Sequence, residues 1–228
     1  MDREPRVSEV AEGVWTIAAP LTLVGIEAGT RTMLVRLPDG SLWVHSPCKI
    51  DDALEAEVRT LGEVSALVAP NSFHHLYLRS WKRRFPEASL YVSRGLPKKR
   101  PDLEGVHVIG AGEEPSWSST LIPLQVEGFP TAEEVLFFHP ASGTLMATDL
   151  LMNQQHVDSA VSRLFWRLNG VYGKPGRSVI GRLLCRDSEA ARASLRPILD
   201  WGIQRITVAH GEIIEDDCVG LLRRSFGV

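Results

Sequence analysis

The chain has 228 residues, 44% of them hydrophobic, which is enough for one substantial core and short for two ordinary domains, so a single domain is expected. Its 25 basic and 28 acidic residues leave a formal net charge of -3, and no run of Lys and Arg is dense enough to neutralise a phosphate backbone, which argues against nucleic acid as a partner. Met1-Asp2-Arg3-Glu4-Pro5 carries charge where a secretory signal needs an apolar run, no later segment reaches the ~18 apolar residues of a membrane span, and Cys48, Cys185 and Cys218 are far apart and odd in number; the expectation is a reduced, cytoplasmic protein with no membrane partner, no disulfide framework and no thiolate zinc site.

In chain order, Val10 to Ile17 and Met33 to Leu37 read as short strands, and Pro38-Asp39-Gly40 turns the latter into a second strand, Ser41 to His45. Asp51-Asp52 can cap a short helix whose Leu54, Val58 and Leu61 share one face and which Gly62 can end. Val64 to Ala69 is a strand stopped by Pro70-Asn71; a helical pattern then runs from Leu76 through Trp81 to Phe85, with Pro86 at its exit. Leu90 to Val92 and Val106 to Ile109 follow as strands around a connection in which Lys98-Lys99-Arg100 reads as a solvated loop.

Leu121 to Val126, Val135 to His139 and Thr144 to Thr148 continue the strand series, and Asp149 stands where the last of them ends. The stretch from about 150 to 186 mixes bulky Leu164-Phe165-Trp166 with breaker-rich Asn169 to Gly176 and reads as a partly helical insertion, expected to cover a site mouth or to make a subunit contact such as a homodimer's. Asp187-Ser188-Glu189 caps a helix to Trp201, Arg205 to Ala209 is a strand ending at His210-Gly211, and a last helix spans about Cys218 to Phe226.

Strands therefore end repeatedly on polar residues: His45, the Asn71 to His75 segment, Asp149 and His210. Strand ends and the loops after them are where a layered α/β fold builds its sites. His74, His75, Asp149 and His210 together supply three imidazoles and a carboxylate, a set suited to zinc, iron or manganese. Adjacent histidines on a regular helix diverge by about 100°, so His74 and His75 can share an ion only from the turn before the helix, where the Pro70-Asn71 break places them. Taken singly, each histidine reads more simply as a helix-capping or backbone-bonded residue. His45 reads as a hydrogen-bonded strand-end histidine, Glu133 and Glu134 as solvated carboxylates, and His139 and His156 show no partner.

The order of these segments resembles the metallo-β-lactamase superfamily. Ala66-Leu67-Val68-Ala69-Pro70-Asn71-Ser72-Phe73-His74-His75 stands where that superfamily has a strand followed by H-x-H-x-D-H, and Thr148-Asp149 and Ala209-His210-Gly211 follow in its order. Within the superfamily the chain is most similar to the DUF4336 family. The resemblance implies an α/β four-layer αββα sandwich. It also implies a split between the two usual metal sites. Pro70, Ser72 and Phe129 fall on the first site's private ligands and cannot replace them, whereas His74, His75, Asp149 and His210 fall on the second site's ligands, with His74 in place of an aspartate. The implied function is a mononuclear metal-dependent hydrolase of a small substrate, zinc being the leading ion, with His74 as fourth ligand or as the base that activates water. A non-catalytic binding or scaffold protein with a structural or empty site is the alternative.

Overall fold

Gly13 turns the backbone at φ 70°, dividing the run from Val10 to Ile17 into two antiparallel strands, β1 (Val7–Ala11) and β2 (Val14–Ala19). The computed structural model describes residues 6–228; the charged stretch Met1–Pro5 lies outside the described residues. The chain divides into two units, one made of the residues up to Ala19 with Arg31–Thr120, the other of Pro20–Thr30 with Leu121–Val228.

After β2 the chain contributes a small hairpin, β3 (Thr22–Leu23) and β4 (Ile26–Glu27), to the second unit, and it re-enters the first as β5 (Thr30–Arg36). There follow β6 (Leu42–His45), α1 (Asp52–Leu61), β7 (Val64–Ala69), α2 (Leu78–Arg84), β8 (Ser89–Val92), α3 (Leu96–Lys99) and β9 (Val106–Val108). The strands form one sheet in the order β1-β2-β5-β6-β7-β8-β9, parallel from β6 to β9, with α1, α2 and α3 as the crossovers that parallel pairing requires. Asp51 caps α1 by accepting from the Leu54 amide at 2.9 Å. Gly62 ends the helix where a Cβ would come within 2.6 Å of the Gly40 carbonyl oxygen. Leu34, Val44, Leu67 and Leu90 of the sheet bury against Leu54, Val58, Leu78, Trp81 and Leu96 of the helices, each side chain worth about 1.5–3 kcal/mol of transfer free energy.

The second unit continues with β10 (Ile122–Gln125), β11 (Val135–His139), β12 (Thr144–Met146), α4 (Ala160–Leu168), α5 (Val179–Leu184), α6 (Ser188–Leu195), β13 (Arg205–Thr207) and α7 (Cys218–Phe226). Its sheet runs β10-β11-β12-β13, with β13 parallel to β12. Leu136, Phe138 and Leu145 pack with Leu195, Ile198, Leu222 and Phe226 into a core of this unit. The helix expected to reach Trp201 stops at Leu195 and tightens into a 3-10 turn, Arg196–Asp200, because Pro197 has no amide hydrogen for an α-helical bond.

The 150–186 segment is partly helical, as its composition suggests, and it is tied down by short bridges, Met152 to Gly176 and Gln154 to Tyr172. Trp166 and Val171 are buried with Ala28, and the Trp166 indole donates to the Glu27 carbonyl at 2.8 Å. Leu164 instead stands exposed.

Candidate functional site

In the first unit the site residues sit on the turn between β7 and α2. The Asn71 side-chain oxygen accepts from the Phe73 and His74 amides, both at 2.8 Å, which shapes the backbone into a turn and puts His74 and His75 ahead of the helix. The two rings then part company. His74 Nδ1 lies 2.7 Å from the Ser46 hydroxyl, which leaves Nε2 as its outward nitrogen. Ser46 follows β6 in a left-handed backbone conformation, φ 53°, uncommon outside glycine and asparagine.

His75 Nδ1 accepts from Arg100 Nη1 at 2.8 Å. A guanidinium can only donate, so the neutral ring carries its proton on Nε2 and offers no lone pair there. Burial, then Lys99 and Arg100, push the His75 pKa down to about 4. Lys98 and Lys99 are exposed, as a solvated stretch should be, although Leu96–Lys99 is a short helix and not a loop, and the run also clamps the histidine turn. Lys99 donates to the Ser72 carbonyl at 2.6 Å and lies over the Phe73 ring, while Arg100 is itself held by both Asp102 oxygens at 2.7 Å. The tertiary contact with His75 turns only Arg100 partly inward; the local sequence shows a polar, proline-flanked stretch. His45 is buried and stacked on Trp43, and burial followed by the charge of His74 drives its pKa down to about 3, so it is a neutral ring.

The second unit carries a carboxylate–histidine pair. His210 follows β13 and donates from Nδ1 to the Gly29 carbonyl at 2.9 Å, so its Nε2 is the nitrogen that meets Asp149 Oδ1, at 3.2 Å. Burial opposes a charged ring at His210, but the hydrogen bond and charge of Asp149 outweigh it and raise the pKa. Asp149 stands three residues beyond the end of β12, and its seat is made by a residue the sequence reading placed at the surface. Glu134 is buried, and its two oxygens accept from the Thr148 amide at 2.7 Å and the Asp149 amide at 2.9 Å. Burial, then the charge of Asp149, raise the Glu134 pKa. One signal was available: residue 134 shares the strand phase of Leu136 and Phe138, both core residues.

Gly128-Phe129-Pro130, where the resemblance expects a ligand histidine, is a packing feature. A Cβ on Gly128 would lie 2.0 Å from the Asp187 carbonyl oxygen, and Phe129 lies in the core beneath the Arg177 guanidinium. The remaining histidines lie apart: His107 stacks on Tyr91, His139 Nδ1 meets the Ser142 hydroxyl at 2.8 Å, and His156 is exposed. Asp149 and His210 are thus one constructed pair, while His74 and His75 share a turn and each engages Nδ1, His74 with the Ser46 hydroxyl and His75 with the Arg100 guanidinium.

Residues 11–97 match the family model "Domain of unknown function (DUF4336)". Over almost its whole length the chain is similar to solved metallo-β-lactamases. The DIM-1 enzyme gives a TM-score of 0.66 at 14% identity, covering 97% of this chain and 94% of that one. FIM-1 from Pseudomonas aeruginosa in its mono-zinc form gives 0.65 at 11%, covering 97% and 94%. The metal-soaked Flv1 flavodiiron core from Synechocystis gives 0.65 at 10%, covering 96% of this chain and 59% of that one. No curated protein matches by sequence. The fold is accordingly the α/β metallo-β-lactamase fold, and the resemblance drawn from the strand-end residues holds at that level.

Proposed function

We propose that the protein is a mononuclear metal-dependent hydrolase with His74, Asp149 and His210 as the ligands of one transition-metal ion. The observation that carries this reading is the Asp149–His210 pair: an imidazole with Nδ1 committed to a backbone carbonyl and Nε2 facing a carboxylate at 3.2 Å is a ligand pair with its supporting contacts already in place. These donors suit zinc, iron or manganese, and zinc best matches a set of two imidazoles and one carboxylate. When bound, the ion supplies acidified water and polarises an ester-like carbonyl.

The residues around it have separate duties. Ser46 orients the His74 ring, the Gly29 carbonyl fixes the His210 tautomer, and Glu134 seats the Asp149 backbone. His75, held by Arg100, falls out of the ligand set, and three protein ligands leave a position for water where four would close a tetrahedral shell. Beside Asp149, a pocket walled by Phe129, Ala132, Leu150 and Leu184 suits the apolar part of a small substrate. Three free cysteines fit a reducing, cytoplasmic setting. Among the described residues no helix is long and apolar enough to cross a membrane. The clamp on His75 is also what favours the alternative, a binding protein built on a retired site.

The test is metal content and esterase rate measured on one His74→Ala preparation beside unaltered protein. As a ligand, His74 takes metal and turnover away together; as the base, its loss leaves metal in place and slows turnover by ~10²–10⁴-fold. Unaltered protein with verified metal and no turnover of ester, thioester, lactone or phosphodiester substrates would establish the non-catalytic reading.

A further inference from the structure

The described residues leave eleven large apolar side chains exposed, and eight of them lie on two segments of the second unit. Val161, Leu164 and Leu168 form a stripe at helical spacing along α4; Val179, Ile180 and Leu183 lie on α5; Leu23 and Val24 form the tip of the β3–β4 hairpin. These segments are joined. The Val179 amide donates to the Asn169 carbonyl at the C-terminal end of α4, and the Glu27 amide donates to the Ser162 hydroxyl of α4 at 3.0 Å. Leu164, Leu168 and Leu183 protrude, with exposures of 58%, 72% and 69%, whereas Leu184 of α5 faces the pocket beside Asp149.

The charge of the same stretch has one sign. From Ser159 to Arg186 the chain carries Arg163, Arg167, Lys174, Arg177, Arg182 and Arg186 and no acidic residue, in a protein whose net charge is -3. Arg167, Lys174, Arg182 and Arg186 are exposed and make no ion pair among the described residues. Of the acidic neighbours, Glu27 accepts from the Asp158 and Ser159 amides and Asp187 caps α6 through the Glu189 and Ala190 amides, while Asp158 is exposed just ahead of the stretch.

From this combination we infer that α4, α5 and the β3–β4 tip dock the protein on the surface of a membrane that contains anionic lipid. Protruding leucines and valines beside unpaired cations match an acyl layer beneath negative headgroups. A groove for a helical peptide would hold its apolar residues recessed. A two-fold contact between copies would set this basic segment against itself. The docking is peripheral, and it revises the expectation of no membrane partner without any spanning segment.

The test is flotation of the full-length protein with mixed phosphatidylcholine–phosphatidylglycerol vesicles and with phosphatidylcholine alone, at low and high salt. Binding is expected to the anionic vesicles and to fall with salt. Arg167→Gln with Arg182→Gln should weaken it by about five-fold per charge removed, and Leu164→Ser, Leu168→Ser and Leu183→Ser together by at least about ten-fold, with thermal unfolding unchanged in both variants. Folded protein that does not float with anionic vesicles would overturn the inference, as would flotation indifferent to lipid charge or to both variants. Sedimentation equilibrium separates the remaining occupant: a dimer that the leucine variant dissociates, without vesicle binding, makes this face a contact between copies and refutes membrane docking.

Discussion

Glu134 shows how much of a site can rest on one buried carboxylate. Two amides donate to it, one from each side of the peptide unit that leads into Asp149, so its charge and both its oxygens are in use. Glu134→Gln keeps the volume but turns an NH2 group toward one of those amides, leaving a buried donor unpaired; a loss of about 1–3 kcal/mol of stability is expected. Because the same amide positions Asp149, metal affinity should fall by about 10–100-fold, the usual scale for a residue that supports a ligand. Denaturant melts and competitive metal titration of the same variant check both numbers, and an unchanged affinity would detach Glu134 from the site. His139 tests burial without involving the site. The Ser142 hydroxyl gives its proton to Thr144, so it accepts from His139 Nδ1, and the neutral ring is the form the fold prefers. Burial lowers the His139 pKa from 6.5, and a histidine with a depressed folded pKa stabilises the fold above its unfolded pKa and loses that contribution as pH falls below it. Stability should therefore decline with pH below about 6.5, and His139→Gln should make that decline shallower in urea melts.

At the scale of elements, the parts of the site legible in the sequence were those governed by local chemistry. Asp51 and Gly62 bracket α1 as their capping roles require, and Pro70-Asn71 ends β7 and opens the turn that carries both histidines. Arg100 and Glu134 were misread because hydropathy reports what a side chain is and not which contact takes it in; each turns inward through a partner distant in the chain or in the next strand. The His210 loop is another such contact. Gly211 sits at φ 105°, and a Cβ there would lie 1.9 Å from the Asn153 carbonyl oxygen, in the bridge where the Asn153 amide also holds the His210 carbonyl at 3.0 Å. Gly211→Ala combines a left-handed backbone with a backbone clash, so it should cost ~3 kcal/mol or more and shift His210 from Asp149. A variant with wild-type melting temperature and metal content would show that the loop yields cheaply.

Over the whole molecule, each unit has its own sheet and core, and segment order alone carried the fold class, since strand, turn and helix signals repeat in the superfamily's sequence. Composition could not show that residues 20–30 belong with the second unit, where Gly29 holds His210 and Ala28 packs on Trp166, because that exchange is written in long-range contacts. The positions that the resemblance assigns to the first metal site carry no usual metal ligand in either unit. In the first, Pro70 has no donor side chain, the Ser72 carbonyl is occupied by Lys99, and Arg100 sits on His75. In the second, Phe129 is a core residue with Arg177 over its ring. Pro70, Ser72 and Phe129 offer neither an imidazole nor a carboxylate where the resemblance implies the first site's ligands. Protein dialysed against excess zinc and then freed of unbound ion should therefore hold at most one equivalent by elemental analysis. His210→Ala should abolish that equivalent, and His75→Ala, His107→Ala and His139→Ala should spare it. Two tightly held equivalents would overturn the one-ion reading, and equal loss in every variant would trace the metal to the fold as a whole and not to these ligands.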